Sequence, residues 1–156
     1  MRKLLALTVV TALIGVTVAS VAAANQAGFS GTRVIGDDGR LHITFKERGA
    51  GKQPVSYRLQ ADGLITWSCG GVLYGTHSFG GVSWNDPWQR ATITPDRGRT
   101  EGALMHETLL GATPRCPMNE HGEIPPTVMS ATLWTHITVT SSTGRVLTLR
   151  DISRTF

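Results

Sequence analysis

The chain has 156 residues, with 15 Lys and Arg against 11 Asp and Glu and a formal net charge of +4. The charges are scattered and form no Lys/Arg cluster, so the sequence carries no nucleic-acid footprint. Two cysteines and five histidines include no C-x-x-C and no two histidines at a ligand spacing, which argues against a metal centre and leaves no legible cofactor motif.

Arg2 and Lys3 open the chain as a short basic segment, and Leu4 to Val21 follows without a charge. Ala22-Ala23-Ala24 then places small residues at the −3 and −1 positions of a cleavage site. That order is the pattern of a secretory leader over residues 1–24. The alternative is a membrane anchor, but the run is at the lower edge of spanning length and rich in Thr and Ala. Cleavage leaves Asn25 to Phe156 as one exported domain without Arg2 and Lys3, so its formal net charge is +2 (13 basic against 11 acidic residues). The expected location is extracellular, with no stable membrane insertion after cleavage. In an exported chain, Cys69 and Cys116 are expected to form a disulfide.

Beyond the leader, most of the chain has period two. Leu41 to Lys46 and Val55 to Gln60 alternate apolar and polar residues, the pattern of a strand with one dry face. Asp37-Asp38-Gly39 precedes the first run and Asp62-Gly63 follows the second, and both suit tight turns. In Leu64 to Cys69, the residues Ile65, Trp67 and Cys69 share a face. Ala91 to Thr94 is shorter and stops at Pro95. Ala103 to Leu110 suits a strand somewhat better than a short helix. Met129 to Val139 is the longest run, with Met129, Ala131, Leu133, Ile137 and Val139 on one face, and Thr143-Gly144 turns it into Val146 to Ile152. Seven or eight short strands without an amphipathic helix predict an all-β, antiparallel two-sheet sandwich of immunoglobulin-like type. A small β-barrel is the other architecture that fits. Gly70 to Trp88 and Gly111 to Pro126 read as long loops.

Phe45-Lys46-Glu47-Arg48-Gly49-Ala50-Gly51, then Val55-Ser56-Tyr57-Arg58-Leu59-Gln60-Ala61-Asp62, Trp67-Ser68-Cys69 and Cys116-Pro117 resemble, in order and spacing, a family of small exported proteins of filamentous actinobacteria. The family has no established activity. The resemblance implies secretion, a disulfide and a β-fold, and it supplies no catalytic residues. The departure from it lies in Gly70 to Trp88.

Catalytic patterns are incomplete. Thr76-His77-Ser78-Phe79-Gly80 has Thr where a nucleophile elbow needs its first Gly. His106-Glu107 lacks the second His of a zinc pair, because Leu110 stands there. The carboxylates lie mostly beside Gly or Pro and read as turn formers. The aromatic residues of the Gly-rich segment are more informative. Tyr74, Trp84 and Trp88 are the candidate binding residues, because exposed rings can stack on sugars or anchor a protein. The competing structural role is to fold back and close the end of the core. The function expected from these readings is a non-enzymatic extracellular module that binds cell-wall glycan or another protein. The alternative is a small extracellular enzyme or inhibitor whose site forms only in three dimensions. The leader has a direct consequence: mass spectrometry of the culture medium is expected to find a chain starting within a few residues of Asn25, not the full-length chain in the membrane.

Overall fold

A computed structural model describes residues 28–80, 87–106 and 113–156; at 77, 79 and 80 it describes the backbone alone. The leader, Trp84 and Glu107 to Leu110 lie outside the described residues. The described residues form nine strands, in order: β1 Phe29–Ile35, β2 Leu41–Arg48, β3 Val55–Cys69, β4 Val72–Gly80, β5 Arg90–Ile93, β6 Arg99–His106, β7 Thr127–Ser141, β8 Val146–Thr148 and β9 Ile152–Thr155. They form two antiparallel sheets that do not close into a barrel. The smaller has the order β1-β2-β6. The larger runs β4-β3-β7-β8, with β5 also on β3 and β9 also on β7.

Alternation explains the core. In β2, Leu41, Ile43, Phe45 and Glu47 are buried while the residues between them are exposed. In β3, every odd residue from Val55 to Trp67 points inward. Phe29, Phe45 and Tyr57 meet between the sheets, with ring centroids 4.4 to 6.1 Å apart. Gly102 makes this packing possible, because a Cβ there would lie 2.5 Å from Ile93 and 2.9 Å from Phe45.

Four local expectations are corrected. Asp62-Gly63 is not a turn, because β3 runs straight through it. The two residues pair with Thr135 and Trp134 on one side and Gly80 and Phe79 on the other, so neighbouring strands hold the pair extended. Gly70 to Trp88 is not wholly loop: β4 occupies Val72–Gly80, paired along β3. The expected strand from Val146 to Ile152 is two short strands, β8 and β9. Lastly, the apolar residues of β7 do not share one face. Trp134 is fully buried, whereas Leu133 is exposed.

Two bulges in β7 cause that last difference. From Gln60 to Asp62 the partner steps from Thr138 to Thr135, so β7 carries one extra residue there. His136 lies in that step with φ of 50°. An extra residue inverts which side chains face the core. Ile137 and Val139 are therefore buried on one side of the bulge, and Thr132 and Trp134 on the other. A second extra residue, Ser130, lies between the pairs Thr66–Ala131 and Trp67–Met129 and restores Met129 to the core. Trp134 donates its indole N–H to the Gly39 carbonyl at 3.1 Å, which ties the larger sheet to the β1–β2 turn.

Cys69 and Cys116 are bonded, with Cα atoms 5.6 Å apart and 47 residues of separation. The bridge joins the end of β3 to the segment leading into β7. Replacing both cysteines with Ala is expected to cost up to about 4 kcal/mol in denaturant unfolding, the chain-entropy value for a loop of this length.

Candidate functional site

The described residues present a buried polar cluster at one corner, a cleft beside it, a second groove, an apolar end around the disulfide, and the aromatic residues singled out in the sequence.

The polar cluster is centred on Glu47. Its side chain is completely buried. Tyr57 donates its hydroxyl to Oε2 at 2.8 Å, and Thr143 donates to Oε1 at 2.8 Å. Arg145 stands 3.6 Å from Oε1. Thr100 shares a short hydrogen bond with the Tyr57 hydroxyl, and Arg145 donates to the Arg48 carbonyl. A buried carboxylate is tolerated when a counter-charge and donors satisfy it, and here both oxygens are engaged. The Glu47 carboxylate is therefore already committed to structural contacts. Burial, reinforced by the neighbouring Glu47, pushes the Tyr57 phenol up to about 12.

Beside this cluster opens a cleft of about 680 Å³. It runs along β6 beneath the crossover that carries the chain from β5 in one sheet to β6 in the other. Lys46, Arg48, Arg97 and Arg99 line it, together with Ile93, Thr94 and Thr100. A second groove, about 470 Å³, lies at β3, β5 and β7. Ser56, Gln60, Thr92, Thr140, Arg58 and Arg90 bring hydroxyl, amide and guanidinium groups to it.

The apolar end is built on the β3–β4 hairpin. Val72, Leu73 and Tyr74 are 70%, 68% and 47% exposed. Val128, opposite Ser68, is exposed too, as are Met118 and Ile124 in the segment after Cys116. Pro125 packs at Gly70, since a Cβ on Gly70 would lie 3.4 Å from it. The disulfide and this contact hold the hairpin tip against the Cys116 segment.

Of the aromatic candidates, Tyr74 is the extra residue of a β4 bulge opposite Trp67 and Ser68. Trp88 belongs to a single 3-10 turn, Pro87–Gln89, and is 58% exposed. Trp84 lies outside the described residues. Tyr74 and Trp88 do not form one platform. Arg90, two residues past Trp88, pairs with Arg58, whereas Tyr74 sits beside Trp67. The rise per residue puts about 30 Å of β3 between Arg58 and Trp67. Sequence proximity grouped the rings, and the pairing of β4 and β5 to different stretches of β3 separates them. Sequence reasoning missed the Arg48, Arg97 and Arg99 grouping. The local signal was Arg97-Gly98-Arg99, whose partner Arg48 lies 49 positions earlier than Arg97.

The near-elbow motif lies along strand β4, not at a strand-to-helix turn, and Ser78 is exposed. His106 is buried, its ring 4.8 Å from the Trp134 ring, which is a packing role. His136 is exposed and 3.0 Å from the Asp62 carboxylate. Among the described residues, no group of three or more His, Cys, Asp or Glu is placed to hold a metal ion, and no helix is long and apolar enough to cross a membrane. No protein-family model, curated protein or solved structure matches this chain.

The Tyr57 environment gives a pH test. A phenol whose folded value is raised from 10 to about 12 keeps its full contribution below pH 10 and loses it as pH rises through 12. Unfolding free energy is expected to fall by on the order of 2 kcal/mol over that interval. Tyr57→Phe is expected to remove most of this alkaline slope, as measured by urea unfolding at stepped pH.

Proposed function

We propose that this chain is an exported, non-enzymatic binding domain that holds a protein partner on its disulfide-braced apolar end. The observation that carries the reading is the clustering of exposed Val72, Leu73, Tyr74 and Val128 at one sheet end, with Met118 and Ile124 in the segment that the bridge ties there. Scattered exposed apolar residues are ordinary on a soluble protein, but Leu73 and Val128 flank Ser68 from the two neighbouring strands, and adjacent exposed apolar residues mark a contact surface. The backbone here is fixed in advance by strand pairing and a covalent bond, so little ordering entropy is lost on binding. Tyr74 adds a large ring with few rotatable bonds, the residue type that anchors interfaces. The resemblance to small exported proteins supports the same setting, and the disulfide is compatible with an oxidising compartment.

A second reading rests on the hydroxyl-rich groove at β3, β5 and β7. Its lining suits the many hydroxyls of a glycan, and Trp88 lies close in sequence to Arg90 on its rim.

Retention of the purified protein on the producing cells' surface separates the two. Retention is expected to be abolished by protease treatment of the cells and by Leu73→Asp with Val72→Asp. These changes are on exposed side chains and should leave Tm unchanged. Retention that survives protease but is lost in Arg90→Ala would favour the glycan groove. Retention unaffected by any of these changes would overturn both readings.

A further inference from the structure

The cleft beneath the β5–β6 crossover has an electrostatic arrangement that the fold does not need. Arg48 and Arg99 are direct cross-strand partners. Like charges in that position repel, with Cβ atoms about 5 Å apart in any antiparallel pair. Arg97 lines the same cleft. Among the described residues, none of these three guanidinium groups takes part in an ion pair.

Among the described residues, the other lining charges apart from Asp96 are already paired. Lys46 is paired with Glu101 at 3.0 Å, and Glu47 with Arg145 at 3.6 Å. Three arginines then face Asp96, which leaves a local net charge of +2.

The backbone adds a second, independent observation. The turn Asp96-Arg97-Gly98-Arg99 is closed by hydrogen bonds of 2.9 Å in both directions between Asp96 and Arg99. Both central residues have positive φ, 49° at Arg97 and 74° at Gly98. Two-residue hairpins of this kind favour Asn, Asp or Gly at the first central position. An arginine held there is strained. The Gly98 carbonyl accepts from the N–H groups of Gly49 and Ala50 at 2.8 and 3.1 Å, so the turn is pinned to the end of β2, next to Arg48. Strain and like charge are thus concentrated on residues that line the cleft, a pattern that belongs to binding sites.

We infer that this cleft binds a small organic molecule carrying a phosphate group. The guanidinium fork matches phosphate oxygens, and a phosphate dianion balances the net charge of +2. A bare ion would leave most of the 680 Å³ empty, whereas that volume suits a drug-sized ligand. Ile93 and Thr94 offer an apolar contact and a hydroxyl to the rest of such a ligand. This site is separate from the apolar end and does not depend on what that end holds.

The test is calorimetric titration of the intact protein at constant ionic strength with inorganic phosphate, glucose 6-phosphate and acetate. Both phosphate compounds are expected to bind, with acetate at least about tenfold weaker because it presents one charge and no third oxygen. Tighter binding of glucose 6-phosphate than of inorganic phosphate would identify an ester; the reverse would identify the free ion, sink the organic ligand and leave the arginine site standing. Arg97→Gly keeps the turn and relieves its strain, and Arg99→Gln keeps the strand. Each is expected to weaken phosphate binding about tenfold, the size of a lost charge-assisted contact. Arg97→Gly without ligand is expected to have an equal or higher Tm, which separates lost binding from lost folding. Phosphate binding no stronger than acetate, or unchanged affinity in both variants, would overturn the inference.

Discussion

A carboxylate with no solvent exposure, that of Glu47, sits where the two sheets meet. Charge in that position is destabilising unless every lone pair is engaged. Glu47 and Thr100 come from the smaller sheet. Tyr57 comes from the larger one, and Thr143 and Arg145 come from the turn that joins β7 to β8. The cluster can be satisfied in one relative placement of the sheets, so a requirement of a single side chain becomes a constraint on the sandwich. It also fixes the neighbouring surface. Glu47 occupies Arg145, and it holds the β2 end from which Arg48 projects outward beside Arg99.

The two ends of the larger sheet have different characters for a related reason. β3 and β7 are each 15 residues long, about 50 Å at strand rise, longer than any strand that covers them. At the Val55 end, the second layer and the polar cluster close the core. At the Cys69 end, the bridge to Cys116 closes it, and the side chains of the β3–β4 hairpin tip remain outside. A covalent bond thus stands where apolar packing would otherwise be needed, which leaves apolar side chains available for contact. At the crossover end, the surface is cationic and polar.

Most of the strands were legible because alternation is a local property. A run such as Leu41 to Lys46 shows its dry face whatever it pairs with. β1 is not legible in the sequence, because Gly31 and exposed Val34 blur its alternation. β4 looks like loop in the sequence because Gly75 and Gly80 resemble breakers, yet both are compatible with pairing to β3. The candidate binding residues were legible in part. The exposure of Tyr74 and Trp88 is what a contact role requires, but their separation is not visible in a segment of fifteen residues.

The sequence by itself determined the all-β class and the cysteine pair available to staple it, because residue period and cysteine count are properties of the chain alone; two open sheets in place of a barrel follow from the strand pairing. Tertiary structure decided the rest. Extra residues in β7 at His136 and Ser130 invert its faces, so Trp134 rather than Leu133 enters the core. A bulge is defined by the partner strand and leaves no mark in a single run. The same holds for Arg48 and Arg99. They are 51 positions apart and meet only because β2 and β6 pair in one register. Charge along a chain is additive and local, whereas the field in a cleft depends on which strands lie side by side.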